Sequence, residues 1–252
     1  MTLLFIFIFG LIVGSFLNVV IFRLASGESF LFARSHCRSC KKELQAKDLI
    51  PVFSFLYLRG RCRYCAAAIS RQYPVVELAT GLIFVLFALK FQMVFSWVFA
   101  LNIIFACFLL VIAVYDFNHY LILDKVLLPG LVLVLLYNIL QGWPVFWAGL
   151  LSGAGFAGFF LAQYLISRGK WIGLGDVKLG FVLGNLAGWP MSILVLILAY
   201  GSGAVVGIAL ILMGRKKFGS KLPFGIFLSL SAIIVMLAGN PIMTWYLRLI
   251  GL

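Results

Sequence analysis

Eight long apolar runs constrain this chain more than any other feature: roughly residues 2–22, 74–91, 97–115, 125–141, 145–166, 178–194, 196–213 and 224–240. Each has about the 17 to 25 residues that a helix needs to cross a bilayer. Hydrocarbon offers no water to backbone amides, so such segments are confined to helices that satisfy their own N–H and C=O groups. With 64% hydrophobic and 11% charged residues, a soluble domain is excluded. The expected fold is an all-α polytopic membrane protein of about eight transmembrane helices.

The formal charge of +13 would suggest nucleic acid in a soluble protein, but its distribution argues for topology instead. Ten of the twenty Lys and Arg lie between Arg23 and Arg71. Most others fall at Lys125, at Arg168, Lys170 and Lys178, and from Arg215 to Lys221, in loops on the same side; Lys90 and Arg248 are the exceptions. The positive-inside rule makes those loops cytoplasmic and both termini external. No basic-aromatic groove pattern accompanies the charge, so nucleic acid is not an expected partner, whereas anionic lipid headgroups are. The first run lacks a basic start and a small-residue cleavage site, so it reads as a retained helix and not a signal peptide.

Between the first and second runs lies the one sizeable extramembrane segment, 23–73, too small to bury a large core unaided. Cys37-x-x-Cys40 and Cys62-x-x-Cys65, separated by 21 residues, can give four thiolates to one tetrahedral zinc. A cytosolic setting disfavours structural disulfides, and a redox motif needs one such pair, not two. Arg38, Lys41, Lys42, Arg61 and Arg63 would offset the charge of a zinc tetrathiolate. His36 reads as a surface side chain and Cys107 as a small hydrophobe. The chain thus divides into a first helix, 1–22, a tetracysteine zinc loop, 23–73, and a membrane core, 74–252.

Seven acidic residues exist in all; Glu28, Glu43 and Asp48 belong to the loop, leaving Glu77, Asp116, Asp124 and Asp176 for the membrane region. A carboxylate beside hydrocarbon is costly, so its default reading is functional and its partner must be named. Asp116 closes the third run, and Asp176 follows Gly173-Leu174-Gly175, where glycines let backbone approach a carboxylate. Helix capping is the competing reading for Asp176, as it is for Asp124. Glu77 is open between a helix-dipole partner and a second activity. Gly14 and Ser15 suit close helix packing, while Asn18 needs partners for a buried amide.

Taken in order, Gly14-Ser-Phe-Leu-Asn-Val-Val-Ile-Phe-Arg23, the paired cysteine knuckles, Tyr73-Pro74-Val75-Val76-Glu77-Leu78, Asp116 with Asp124, Gly173-Leu-Gly-Asp-Val-Lys178 and Leu222-Pro223-Phe224-Gly225 strongly resemble the bacterial type IV prepilin peptidase family. The resemblance runs from about residue 10 to 235. Leu123 and Ile226 stand where that family often has proline. The resemblance implies a membrane aspartic peptidase that removes the basic leader of prepilin or pseudopilin subunits at the cytoplasmic face of the inner membrane. It implies Asp116 and Asp176 as the catalytic pair. It also implies N-methylation of the new terminus with S-adenosylmethionine, an activity associated with the cysteine-bearing loop. Three alternatives stand beside it: a presenilin-like intramembrane protease, which has no use for four cysteines; a transporter, for which no internal repeat is found; and a zinc-binding membrane module, which leaves the aspartates unexplained.

Overall fold

The computed structural model describes residues 1–27, 35–217 and 219–249. Glu28, counted above with the loop, lies outside them. Among the described residues there are nine α-helices and no strand: α1 (Thr2–Ser26), α2 (Phe53–Tyr57), α3 (Gln72–Lys90), α4 (Trp97–His119), α5 (Asp124–Gln141), α6 (Trp143–Ser167), α7 (Leu174–Ala187), α8 (Met191–Leu212) and α9 (Phe224–Leu249). All but α2 and α7 are long and apolar enough to cross a membrane, which makes seven spans and a multi-pass membrane protein.

The departure from eight long spans has a local cause. Residues 178–194 do not form one helix, because Gly188, at φ +67, and Pro190 stop α7 after 14 residues and restart the chain as α8. At 1.5 Å per residue α7 rises only about 21 Å, short of a bilayer core of about 30 Å. It nevertheless runs the way a full span would. Lys178, in its second turn, holds Asp124 at the start of α5, and Lys216, just past α8, reaches the Tyr120 hydroxyl beside the end of α4. So α7 leaves, and α8 returns to, one common end. α9 extends past 240 to Leu249, bent at Ala238 (φ −131) by Pro241.

The chain divides into two compact units, Met1–Cys107 and Phe108–Leu252. In the first, α1 and α3 meet at backbone distance: a Cβ on Gly10 would lie 2.7 Å from the Gly81 Cα, and one on Gly14 2.7 Å from the Glu77 Cα. Small residues four apart are what allow helices to pack so closely in lipid, where apolar burial gives no drive of its own. Asn18, fully buried, finds its partners in this seam. Its Nδ2 donates to the carbonyls of Gly14 (3.3 Å) and Tyr73 (3.1 Å), and its Oδ1 accepts from Gln72 (3.4 Å), tying α1 to the start of α3.

The second unit uses the same device without having advertised it. A Cβ on Gly184 of α7 would sit 2.7 Å from the Gly153 Cα of α6. Beside that close approach, the buried Asn138 on α5 donates to the Asn185 carbonyl of α7 at 3.1 Å.

Candidate active site and metal centre

Asp116 lies in the last turn of α4, buried to 4% exposure, and its Oδ2 accepts the Ile226 N–H at 3.1 Å. That donor is one of the unpaired amides in the first turn of α9. The Leu222-Pro223-Phe224-Gly225 motif therefore delivers a helix N-terminus, with its free N–H groups and positive end of the dipole, to a carboxylate. Gly225 has no room for a side chain, since a Cβ would come 2.9 Å from Asp116 Oδ2 and 3.0 Å from Ile122 Cδ1. Isoleucine at 226, where proline would carry no N–H, supplies the bond.

Asp176 occupies the first turn of α7, and its Oδ2 accepts the Gly173 N–H at 3.1 Å. The capping reading is thus correct for that oxygen, while Oδ1 has no protein donor among the described residues. The two glycines differ in purpose. At Gly173 (φ −86) a Cβ would make an ordinary 3.6 Å contact with Asp176, whereas at Gly175 it would meet Ile122 Cβ at 3.1 Å. Ile122, from the short turn between α4 and α5, is thus packed against Gly175 and Gly225 alike and draws the starts of α7 and α9 together. The two aspartates are close enough for their charges to interact.

Asp124 stands apart from this pair. It begins α5 and is held by Lys178, whose Nζ lies 2.8 Å from both carboxylate oxygens in a half-exposed ion pair. The sequence did not signal Tyr200 and Gln163. The Tyr200 hydroxyl donates to Gln163 Oε1 at 2.8 Å, and its ring packs 4.9 Å from Phe224, next to Gly225. Gln163 Nε2 is buried without a partner among the described residues. No spacing rule links residues 37 positions apart on different helices.

In the first unit, Cys37, Cys40, Cys62 and Cys65 bring their sulfurs within 4.8 Å of one another and could hold a metal ion. The two knuckles are copies in backbone terms. Cys37 N–H donates to the Lys42 carbonyl (2.9 Å) and Cys62 N–H to that of Ala67 (2.8 Å). The bridges His36 with Glu43 and Arg61 with Ala68 repeat the pattern, as do the left-handed residues after the second cysteine, Lys41 (φ +59) and Ala66 (φ +56). Cys37 and Cys65 sulfurs are 3.8 Å apart, the edge of a tetrahedron with metal–sulfur bonds of about 2.3 Å. The backbone N–H of Cys40 pulls the Cys37 thiol down to about 6, against the effect of burial. Cys65, although the Ala67 N–H favours its thiolate, is pushed up to about 11 by desolvation and the neighbouring thiols.

Several flanking cations are engaged away from the sulfurs. Arg63 pairs with Asp48 at 2.6 Å, Arg38 stacks on Phe22 at 4.4 Å, and Lys42 lies over Tyr64 at 4.4 Å. His36 takes no part in the sulfur cluster, and Cys107 is remote from it in sequence and absent from it. Glu77, 5% exposed on α3, accepts the Val52 N–H at 2.7 Å. That bond holds a β-branched residue at φ +60, a conformation such residues rarely adopt.

The model of the bacterial peptidase A24 N-terminal domain matches residues 8–91, which contain the four cysteines, and that of the type IV leader peptidase family matches 103–208, which contain both aspartates. Curated relatives include proteins named prepilin leader peptidase/N-methyltransferase. That of Bacillus subtilis is 34% identical over 97% of this chain and 97% of its own length. The protein of Aeromonas salmonicida is 34% identical over 97% of this chain and 94% of its own, and that of Stutzerimonas stutzeri 31% over 96% and 92%. No solved structure matches. With identity at this level held across nearly its whole length, the chain belongs to the type IV leader peptidase family.

Proposed function

We propose that this chain is a membrane aspartic endopeptidase that cuts the basic leader from prepilin-like or pseudopilin subunits at the cytoplasmic face of the inner membrane, with Asp116 and Asp176 as its catalytic pair. One observation carries the reading: Ile122 packs against Gly175 and Gly225 at once, so two carboxylates 60 positions apart share one patch. Two neighbouring carboxylates do not readily both ionise, so the pair holds one proton between them over the working range. The ionised member takes a proton from water as its oxygen attacks the scissile carbonyl carbon. The protonated member hydrogen-bonds the carbonyl oxygen and stabilises the charge that develops there. Proton return to the amine completes the break. The first-turn amides of α9 keep Asp116 in place, and Gly173 does the same for Asp176, so each retains one oxygen for the reaction. The basic loops, gathered by the positive-inside rule on one side, support the cytoplasmic orientation.

The four cysteines fit zinc by number, sulfur spacing and soft-ligand chemistry, and its role here is structural: it closes two knuckles into a loop with little core of its own. The relatives' names extend the reading to N-methylation of the newly exposed amine, for which S-adenosylmethionine would supply an electrophilic methyl group. Incubating the purified chain with a candidate prepilin and reading the product's N-terminus by mass spectrometry tests both steps. Cleavage after the basic leader supports the peptidase; an intact prepilin under conditions where the protein is folded and zinc-loaded opposes it.

A further inference from the structure

A cleft of about 950 Å³ lies wholly within the first unit, lined by α1, the cysteine loop and the start of α3 and open on one side. Ligand pockets for small molecules occupy roughly 300 to 1,000 Å³, so it has room for a nucleoside-sized ligand. Its wall contains Glu77, whose carboxylate accepts from the Val52 N–H. That donor is neutral. A glutamine oxygen would accept the same bond, so hydrogen bonding alone does not call for an ionisable group. What a carboxylate adds is negative charge, and burying charge without a cation is costly. Asp48, in the same lining, already has its cation in Arg63. Among the described residues of the lining, Glu77 is the carboxylate left for a ligand.

We propose that this cavity is the methyl-transfer site, with Glu77 facing the positive charge of a sulfonium donor; the proposal rests on the N-methyltransferase reading above. The reaction carries one positive charge throughout. The amine, as its neutral form, gives its lone pair to the methyl carbon; the C–S bond breaks, its electrons stay on sulfur, and the charge passes to nitrogen, which then loses a proton to water. A fixed carboxylate accommodates that charge at both ends of the transfer. Tyr73, lining the cavity and stacked on Phe22 at 4.9 Å, adds an aromatic surface that a sulfonium favours. Arg38, whose guanidinium carbon lies 4.4 Å from the Phe22 ring centroid, also lines the cavity and brings N–H groups of the kind that suit the donor's carboxylate.

The test is binding, by calorimetry on the zinc-loaded full chain in nanodiscs, of two analogues. Sinefungin carries a protonatable amine where the donor has its sulfonium; S-adenosylhomocysteine carries a neutral thioether. Glu77→Gln, which keeps an acceptor for Val52, should weaken sinefungin about tenfold, as loss of a buried charge partner does, and the thioether by less than about twofold. Ser54→Trp, which fills the cavity from α2, should abolish binding of both. Each variant should retain one zinc and normal leader cleavage. Equal weakening of both analogues by Glu77→Gln would mean a structural role only and overturn the proposal. So would undiminished binding to Ser54→Trp while the chain still methylates, which places the donor elsewhere and leaves the methyltransferase reading standing. A wild-type chain that binds neither analogue and releases unmethylated product would overturn both.

Discussion

Gly225→Ala separates fold from chemistry at the aspartate site. The added Cβ would stand 2.9 Å from Asp116 Oδ2, and ordinary contact begins at 3.4 Å, so something must yield by about half an ångström. The nearest atoms are the end of a short side chain and Ile122 Cδ1, not backbone. They can move, so overpacking costs at the low end of its usual range, about 1 kcal/mol, and alanine returns a similar amount through helix propensity in α9. Stability should change by less than about 1 kcal/mol. Activity should not escape, because the atom that moves is a carboxylate oxygen held by Ile226 at 3.1 Å, and misplacement on the ångström scale costs on the order of 100-fold. Half that displacement puts the expected loss of leader cleavage at about tenfold or more. Cleavage followed by gel shift, alongside a thermal unfolding scan, reads both quantities. Gly155→Ala and Gly158→Ala, with nothing within 4 Å, are the controls: cleavage should be unchanged and stability should rise by up to about 1 kcal/mol through helix propensity in α6. If Gly225→Ala cuts at the wild-type rate with wild-type stability, Asp116 is not positioned as argued.

The metal site gives further predictions. Purified protein should carry one zinc per chain, lost on Cys-to-Ser change at 37, 40, 62 or 65 and retained in Cys107→Ala, by metal analysis under reducing conditions. Zinc requires thiolates, and Cys65 is protonated without metal up to about 11, so loading releases protons and affinity should rise with pH; below about 6, where Cys37 also takes up its proton, it should fall most steeply. A pH series of competitive chelation checks the sign. Lys41→Gly and Ala66→Gly should each stabilise the loop by about 1 kcal/mol by relieving left-handed strain, and Ala66→Val should destabilise it, by chelator-induced unfolding.

Much of this was legible in the sequence because it is local. Apolar run length gives spans directly, and two knuckles four residues wide carry their own geometry, so the sulfur cluster could be expected before any tertiary contact was known. One failure is local and the others are not. Gly188-Trp189-Pro190 ends α7 early, yet the hydropathy around it is continuous, so the run reads as one helix. Gly175 and Gly225 look like loop residues until Ile122 is found between them, and no pattern in the chain says that a side chain from 122 serves both. In the sequence, capping and site membership look like alternatives for Asp176, but one oxygen caps while the other stays available. Glu77 likewise needed Val52 and the cavity, which only the fold brings together.

The central claim is that Asp116 and Asp176 act as one proton-sharing pair, and cleavage of a prepilin by equal amounts of wild type, Asp116→Asn and Asp176→Asn tests it most directly. Either substitution should cost about 100-fold or more, as loss of general acid–base catalysis does, with zinc content and unfolding temperature near wild type, while Asp124→Asn, which only breaks an exposed ion pair, should stay within about threefold. Cleavage at the wild-type rate by either of the first two variants would contradict the account.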